Sequence, residues 1–236
     1  MLIMRKVVVI LTFFAMLLTM PVAHASQTIN IFAASSLTKT FTELSKQFER
    51  SNPKIKIRLI FSSSKTLATQ IQNGAKAHIF VSASPEEMHI VTKGSNYLVN
   101  RVVLGIPKNS PIKSISDLNS GYKWIRCADE VPCGSLAKIV LKDQGIVSSP
   151  VSLEPMASSV LAKLLVGEVD AAIIYKSDAF ANSMKINFIE FSNTKASSTI
   201  YQIAKLEDGF ATTKVLNFLK SKETIKYLIR NGFETK

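Results

Sequence analysis

The segment at residues 29–44 constrains the fold of this chain most, because an apolar strand pattern runs directly into a helical one. Residues 29–32 are typical of a short buried strand. Four apolar side chains then repeat with the spacing of one helix face: Leu37, Phe41, Leu44 and Phe48. Ser36 stands where a helix N-cap is expected. Free backbone N–H groups and the positive end of the helix dipole meet at such a turn, which suits an anion.

The same strand-to-helix turn recurs along the chain and predicts an α/β fold with mainly parallel sheets. Five such turns carry serines or small residues with bare backbone donors, at residues 35–36, 62–64, 82–84, 133–135 and 157–159. Ligands of open α/β sheets lie at the carboxyl ends of the strands. Each serine alone is also explained by capping its own helix, whereas the five turns together indicate one shared anion site.

Residues 1–25 are predicted to be a secretory signal peptide that is cleaved from the mature chain. Two basic residues precede an apolar run at residues 7–20, and residues 23–25 match the small-residue cleavage pattern. A membrane anchor is the alternative, but the apolar run is short for a span. No cysteine near the cut could carry a lipid anchor. The mature chain is therefore expected to start near Ser26 and to be soluble and exported, in a bacterial periplasm or outside the cell.

The formal net charge of +12 raises the question of a nucleic-acid partner. The lysines are spread along the whole chain, without a dense basic block or interleaved aromatic residues. Nucleic acid is therefore not expected as a partner, and the charge is expected to serve solubility and the attraction of small anions. The hydrophobic content of 47% is that of an ordinary globular protein.

Motifs for enzyme chemistry are missing from the sequence. It contains neither the phosphate-binding loop pattern nor the nucleophile elbow, and no cysteine and histidine spacing typical of zinc. His78 and His89 have no evident acid–base partner and are assigned to structural roles. An enzyme is therefore disfavoured. An exported serine hydrolase remains the least favoured alternative, because its serine would need a histidine partner.

Four separated motifs follow one another along the mature chain. They are FAASSL at residues 32–37, FSSSKTLATQI at 61–71, EVPCG at 130–134 and GEVDAAIIYKSDA at 167–179. In this order, and over essentially the whole mature chain, the sequence resembles the periplasmic molybdate-binding proteins. These form the ModA family, the substrate-binding components of molybdate ABC importers.

The resemblance implies a two-lobed periplasmic binding protein of type II topology, an α/β fold with the ligand in the interlobe cleft. Lobe 1 is expected at residues 26–101 and again at 200–236, and lobe 2 at 102–199. The chain is expected to cross between the lobes near residues 101–107 and near residues 199–204. The lobes would close around the ligand by a hinge motion.

The resemblance also implies five ligand positions, each offering a neutral hydrogen-bond donor. Ser36 and Ser64 would use hydroxyl and backbone N–H, Cys133 and Ala157 their backbone N–H, and Tyr175 its hydroxyl. The family often has alanine at position 133, and a backbone donor tolerates that change of side chain. A larger aliphatic residue is common at position 157, so the shape of the cleft is expected to differ there. Tyr175 is also explained as a half-buried core tyrosine bonded to a backbone carbonyl. The turn at 82–84 matches no ligand position of the family and is left out of the site.

A site made only of N–H and O–H donors suits a tetrahedral dianion without protons, because every oxygen of that ion is an acceptor. A protonated anion such as hydrogen phosphate would also need an acceptor. The implied ligand is molybdate, with tungstate poorly discriminated. A receptor of the same fold for sulfate or another tetrahedral oxyanion is the alternative, and cleft size would decide between them.

The resemblance implies one protein partner, the inner-membrane ABC permease of a molybdate importer. No cofactor is expected. Molybdenum would be present only within its oxyanion, without direct bonds between protein and metal. The receptor is expected to act as a monomer in the periplasm.

Cys127 and Cys133 are the only cysteines and stand six positions apart. In an exported protein they are predicted to form a disulfide, which would rigidify the turn that presents the Cys133 N–H. Two reduced cysteines are the alternative. Trp124 is expected to pack inside lobe 2.

Overall fold

The structure, a computed structural model, describes residues 26–192 and 195–235, and strands and helices alternate along them as predicted. The predicted signal peptide at residues 1–25 lies outside these residues. The strands of the described residues are β1 (Gln27–Ala34), β2 (Ile55–Ser62), β3 (Ile79–Ser82), β4 (Ser95–Pro107), β5 (Trp124–Cys127), β6 (Ser152–Glu154), β7 (Ala171–Tyr175), β8 (Ile186–Glu190) and β9 (Ser198–Lys205). The helices are α1 (Thr38–Ser51), α2 (Ser64–Gln72), α3 (Pro85–Val91), α4 (Pro132–Asp143), α5 (Ala157–Leu165), α6 (Lys176–Ala181), α7 (Phe210–Leu219) and α8 (Lys222–Arg230), with 3₁₀ turns at Ser35–Leu37 and Ile115–Ser120.

The strands form one continuous curved sheet in the order β2-β1-β3-β9-β4-β7-β5-β6, with β8 paired to β4. The pairs β1–β2, β1–β3, β5–β6 and β5–β7 are parallel. β9 and β4 run antiparallel to each other and to their other neighbours. The predicted mainly parallel arrangement is therefore wrong for the middle of the sheet, because β4 and β9 are antiparallel to every strand with which they pair.

β4 is the strand that joins the two halves of the molecule. Its first part, up to Arg101, pairs with β9, and its second part, from Val102, pairs with β7 and β8. The chain therefore passes from one half to the other within β4. It returns between β8 and β9, since β9 already pairs with β3 and the first part of β4. Residues 199–204 lie within β9, and the two crossing positions stay predictions.

Two separate hydrophobic cores give the fold its two lobes. One core lies within residues 102–191 and contains the buried Trp124, as predicted. The other combines residues 29–98 with residues 201–233, and a smaller cluster around Phe80 lies with it. The molecule is thus a two-lobed α/β protein of type II topology. The bounds 26–101, 102–199 and 200–236 remain a prediction.

Serine caps begin three of the helices and explain where those helices start. The side chains of Ser63, Ser84 and Ser221 accept backbone N–H groups in the first turns of α2, α3 and α8. Each cap satisfies a donor that has no partner inside its helix. Proline follows the Ser84 cap as the first residue of α3, and the Ser221 cap separates α8 from α7.

Candidate anion-binding site

All five predicted ligand residues line one small cavity between the lobes. The lobe 1 wall consists of Ala34, Ser35, Ser36, Ser62, Ser63, Ser64 and Ala83, and the lobe 2 wall of Val131, Pro132, Cys133, Met156, Ala157 and Tyr175. The cavity volume is about 10 Å³. That is about the room one water needs, so the space between the walls is small.

Ser36 does not cap a helix, contrary to the sequence prediction. It lies inside the 3₁₀ turn that links β1 to α1, and α1 begins after Leu37 without a side-chain cap. Its hydroxyl instead lies 2.7 Å from the hydroxyl of Tyr201, in a buried contact. The predicted cap failed because the tight 3₁₀ turn places Ser36 one residue too early, and this leaves the residue available to the cavity.

Ser64 is free to serve the cavity because its neighbour, Ser63, caps α2. Ser63 Oγ accepts the N–H of Thr66 at 3.1 Å. Ser64 is the first residue of α2, so its own N–H has no partner within the helix. Its Oγ accepts the N–H of Ala83 at 2.9 Å. The Ser64 hydroxyl hydrogen therefore remains to be donated elsewhere.

The first turn of α4 presents the Cys133 N–H. Pro132 is the first residue of α4 and has no N–H. The N–H groups of Gly134 and Ser135 both reach the Val131 carbonyl, at 2.9 and 3.1 Å. The Cys133 N–H is therefore the first donor of this helix that is left for the cavity.

The position of that turn is held by close packing and by a disulfide. Cys133 is joined to Cys127, at the end of β5, as the sequence predicted. A Cβ on Gly134 would lie 1.8 Å from the Ala128 carbonyl oxygen, so only glycine allows the helix to approach this loop so closely. Both features fix the start of α4 against β5.

Ala157 begins α5 and contributes backbone only. The helix has no side-chain cap, and the Met156 carbonyl accepts the N–H groups of Ser159 and Val160 at 3.2 and 3.4 Å. The Ala157 N–H, in the first position, has no partner within the helix. Because the Ala157 side chain is a single methyl group, it adds little bulk to the wall.

Tyr175 ends β7 and is 2% exposed. Its hydroxyl has no hydrogen-bond partner among the described residues, so Tyr175 differs from the alternative of a half-buried tyrosine bonded to a carbonyl. Burial, followed by the neighbouring Tyr201, raises the pKa of Tyr175 well above its usual value. The phenol therefore keeps its proton. A buried hydroxyl without a partner costs about 1–3 kcal/mol, which a ligand oxygen would recover.

The cavity is electrically neutral where the structure describes it. Among the described lining residues, none carries a carboxylate, an ammonium or a guanidinium group. Asp178 lies close by, in the first turn of α6, and is buried with Oδ2 unpartnered among the described residues. Burial raises its pKa to about 8, against an opposing backbone hydrogen bond at Tyr175. At pH 7 Asp178 is thus mostly uncharged.

Sequence reasoning missed the buried polar residues behind the cavity. Asp178 stands in the 167–179 motif, three residues after Tyr175, and this position is the one sequence feature that could have indicated a role near the site. Asn100 and Tyr201 carry no motif at all. They come to the site only because β4 and β9 pair with each other.

The two histidines among the described residues, His78 and His89, do not line the cavity. His78 Nδ1 accepts the backbone N–H of Asn30 at 3.1 Å, a structural role as predicted. His89 lies in α3. Within the described residues, no cluster of three or more histidines, cysteines or acids offers a place for a metal ion. Nor does this part of the chain contain a helix with the length and hydropathy needed to cross a membrane.

A two-lobed α/β fold with a small polar cavity between its lobes defines a solute-binding protein. The bacterial extracellular solute-binding protein family matches residues 29–234, and the chain belongs to this family. The molybdate-binding protein ModA of Mycobacterium tuberculosis is 33% identical to it over 194 residues, which cover 78% of this chain and 74% of the relative.

Two further similarities agree with this family. ModA of Haemophilus influenzae is 28% identical over 235 residues, which cover 90% of this chain and 92% of that protein. The solved structure of the periplasmic molybdate-binding protein of Azotobacter vinelandii superposes with a TM-score of 0.77 over 88% of this chain and 99% of that one. At 15% identity, that match supports the fold.

Proposed function

We propose that this protein is a receptor for molybdate, which it holds in the cavity through hydrogen bonds from Ser36, Ser64, Cys133, Ala157 and Tyr175. Tungstate has the same shape and charge and is bound with little discrimination. The family and the ModA relatives support the ligand. The chemistry of the cavity lining supports the residues.

The donor-only lining of the cavity is the observation that carries the proposal. A buried dianion needs either a counter-charge or many dipoles around it. The N-terminal ends of α2, α4 and α5 supply dipoles and free N–H groups from both lobes. An anion that carries a proton would meet no carboxylate among the described lining residues to accept it.

The bound ion is cargo for transport. The protein is exported after removal of residues 1–25 and works in the periplasm as a monomer, without a lipid anchor or a cofactor. It delivers molybdate to the inner-membrane ABC permease of an importer. The lobes close around the ion by a hinge motion, for which β4 is suited because it belongs to both halves.

A thermal melt of the mature, ligand-stripped protein with molybdate, tungstate, sulfate or phosphate tests the proposal. Ligand at about 1,000 times its dissociation constant stabilises a protein by about 4 kcal/mol. For a chain of this length the melting temperature should rise by roughly 8–16 °C. Molybdate and tungstate should give this shift and phosphate none. An equal shift with sulfate would mean that the protein is a receptor for tetrahedral oxyanions in general and not for molybdate in particular. No shift with any of the ions would overturn the proposal.

A further inference from the structure

A chain of buried polar side chains lies behind Ser36 and connects the two lobes. The Tyr201 hydroxyl, in β9, lies 2.7 Å from Ser36 Oγ. Asn100 Nδ2, in β4, lies 3.4 Å from the same hydroxyl and donates to Ser177 Oγ in α6 at 2.8 Å. All four side chains are buried. Hydrogen bonds in such a chain have a direction, because each hydroxyl has only one hydrogen to donate.

The backbone fixes the orientation of the Asn100 amide. Asn100 Oδ1 lies 3.0 Å from the N–H of Arg101 and 3.5 Å from the N–H of Ser177. Backbone N–H groups can only donate, so the amide oxygen has to face them. The amide NH₂ group must then face Tyr201 and Ser177. The Tyr201 oxygen is therefore the acceptor of its contact with Asn100.

Tyr201 then has its own hydrogen left to donate, and Ser36 Oγ is the acceptor at 2.7 Å. If Ser36 donated to Tyr201 instead, the Tyr201 hydrogen would turn towards Tyr175 and Phe233, whose rings pack edge to face with that of Tyr201. The Tyr175 hydroxyl lies near Tyr201 but is not in hydrogen-bond geometry with any described residue. A buried hydrogen-bond donor without an acceptor is costly. The favoured direction thus runs from Asn100 through Tyr201 to Ser36, and the Ser36 hydrogen points on into the cavity that Ser36 lines.

We propose that Tyr201 is a positioning residue that commits the Ser36 hydroxyl to donate to the ligand, so that the site prefers oxyanions without protons to hydrogen-bearing ones such as hydrogen phosphate. The inference rests on the proposed function and gives a direction to one of its contacts. Ser64 shows a similar arrangement, because its Oγ accepts the N–H of Ala83, a residue of the same wall. Both lobe 1 serines thus have one acceptor site occupied by a donor of the protein.

The variant Tyr201→Phe tests the inference, since it keeps the ring and removes only the hydroxyl. Titration calorimetry should show a molybdate affinity lowered roughly 3- to 10-fold, as expected for one neutral hydrogen bond. The matched control is Tyr97→Phe. It also removes a buried tyrosine hydroxyl in lobe 1, bonded to the Leu219 carbonyl at 2.8 Å, but it lies away from the cavity and should leave the affinity unchanged.

A double-mutant cycle with Ser36→Ala shows whether Tyr201 acts through Ser36. Tyr201→Phe should change the affinity by less than about twofold when Ser36 is already absent. A full loss in that background, or no loss in the wild-type background, overturns the inference. If the wild-type protein itself fails to bind molybdate, the proposed function fails instead.

Competition with phosphate at neutral pH provides a second measurement that a merely structural role would not affect. Tyr201→Phe frees the Ser36 hydroxyl to turn and accept a hydrogen bond from hydrogen phosphate. The ratio of phosphate to molybdate dissociation constants should therefore fall in Tyr201→Phe and stay unchanged in Tyr97→Phe. An unchanged ratio in both variants contradicts the proposed selection.

Discussion

The two walls of the cavity are built from different chemical groups. On the lobe 1 wall, Ser36 and Ser64 offer side-chain hydroxyls that are held by hydrogen bonds with the Tyr201 hydroxyl and with the Ala83 N–H, respectively. On the lobe 2 wall, Cys133 and Ala157 lie in the first turns of their helices, where their backbone N–H groups have no partner within the helix. The hydrogen-bond donors of the lobe 1 wall therefore depend on the identity of the side chains, whereas those of the lobe 2 wall depend mainly on the position of the backbone.

The lobe 2 backbone donors do not depend on the side chains at positions 133 and 157. Cysteine at position 133 and alanine at position 157 leave the backbone donors in place. What matters there is the position of the helix start, fixed at α4 by the disulfide and by the close approach of Gly134 to Ala128. Tyr175 is the exception, because it is the lobe 2 residue that would act through its side chain.

The largest effect is expected from the ionisation of Asp178, which should lower the stability of the protein as the pH rises. The pKa of Asp178 is about 8 in the folded protein and about 3.9 in an unfolded chain. Between these values the unfolded chain has lost the proton that the folded protein keeps, so stability falls as the pH rises. The slope is up to about 1.4 kcal/mol per pH unit, or about 4 kcal/mol from pH 5 to 8.

Asp178→Asn should remove this part of the pH dependence, because an amide does not titrate. Urea denaturation of both proteins at pH 5, 6, 7 and 8 measures the difference. The variant should gain stability over the wild type as the pH rises. If the two stability profiles stay parallel, Asp178 is not held protonated, and the lobe 2 wall has a negative charge behind it at neutral pH.

Ser64→Ala, on the lobe 1 wall, should have the next largest effect, on both molybdate affinity and stability. It removes a hydrogen bond to a charged ligand, worth about 1.5–3 kcal/mol, so molybdate affinity should fall roughly 10- to 150-fold. It also leaves the buried Ala83 N–H without its acceptor, which costs about 1–3 kcal/mol of stability. Calorimetric titration and urea denaturation measure the two effects.

Ser84→Ala is the matched control for Ser64→Ala. Ser84 caps α3 and does not line the cavity among the described residues. The variant should lose about 1 kcal/mol of stability with the cap and keep the affinity. Equal affinities of Ser64→Ala and Ser84→Ala would mean that the lobe 1 serines do not act through their hydroxyls.

Removing the disulfide of the lobe 2 wall should lower stability clearly and molybdate affinity only slightly. The double variant Cys127→Ala, Cys133→Ala loses a cross-link that closes a short loop, worth about 2 kcal/mol. The melting temperature should fall by roughly 4–8 °C. Molybdate affinity should fall far less than in Ser64→Ala, because the N–H at position 133 remains. A loss of affinity as large as that of Ser64→Ala would contradict the idea that position 133 contributes through its backbone N–H alone.

The sequence predicts local features of this protein better than the partners that distant strands bring together. The strand–helix alternation follows from short patterns, and the motifs name five residues that the structure places around one cavity. The Ser36 cap was wrong because a 3₁₀ turn precedes α1 and makes Leu37, not Ser36, the residue before the helix. Asn100 and Tyr201 could not be found from a pattern, because their contact depends on the pairing of β4 with β9.

The smallest effect in free energy, and the one with the most diagnostic sign, is expected from Tyr175→Phe. The Tyr175 hydroxyl is buried without a partner among the described residues, so removing it should stabilise the ligand-free protein by about 1 kcal/mol. Tyr97→Phe should instead lose about 1 kcal/mol, because the Tyr97 hydroxyl donates to a carbonyl. Molybdate affinity should fall only in Tyr175→Phe. Urea denaturation and calorimetry of both variants measure the two signs, and a Tyr175→Phe protein that is less stable without ligand would show that this hydroxyl already has a partner in the empty cavity.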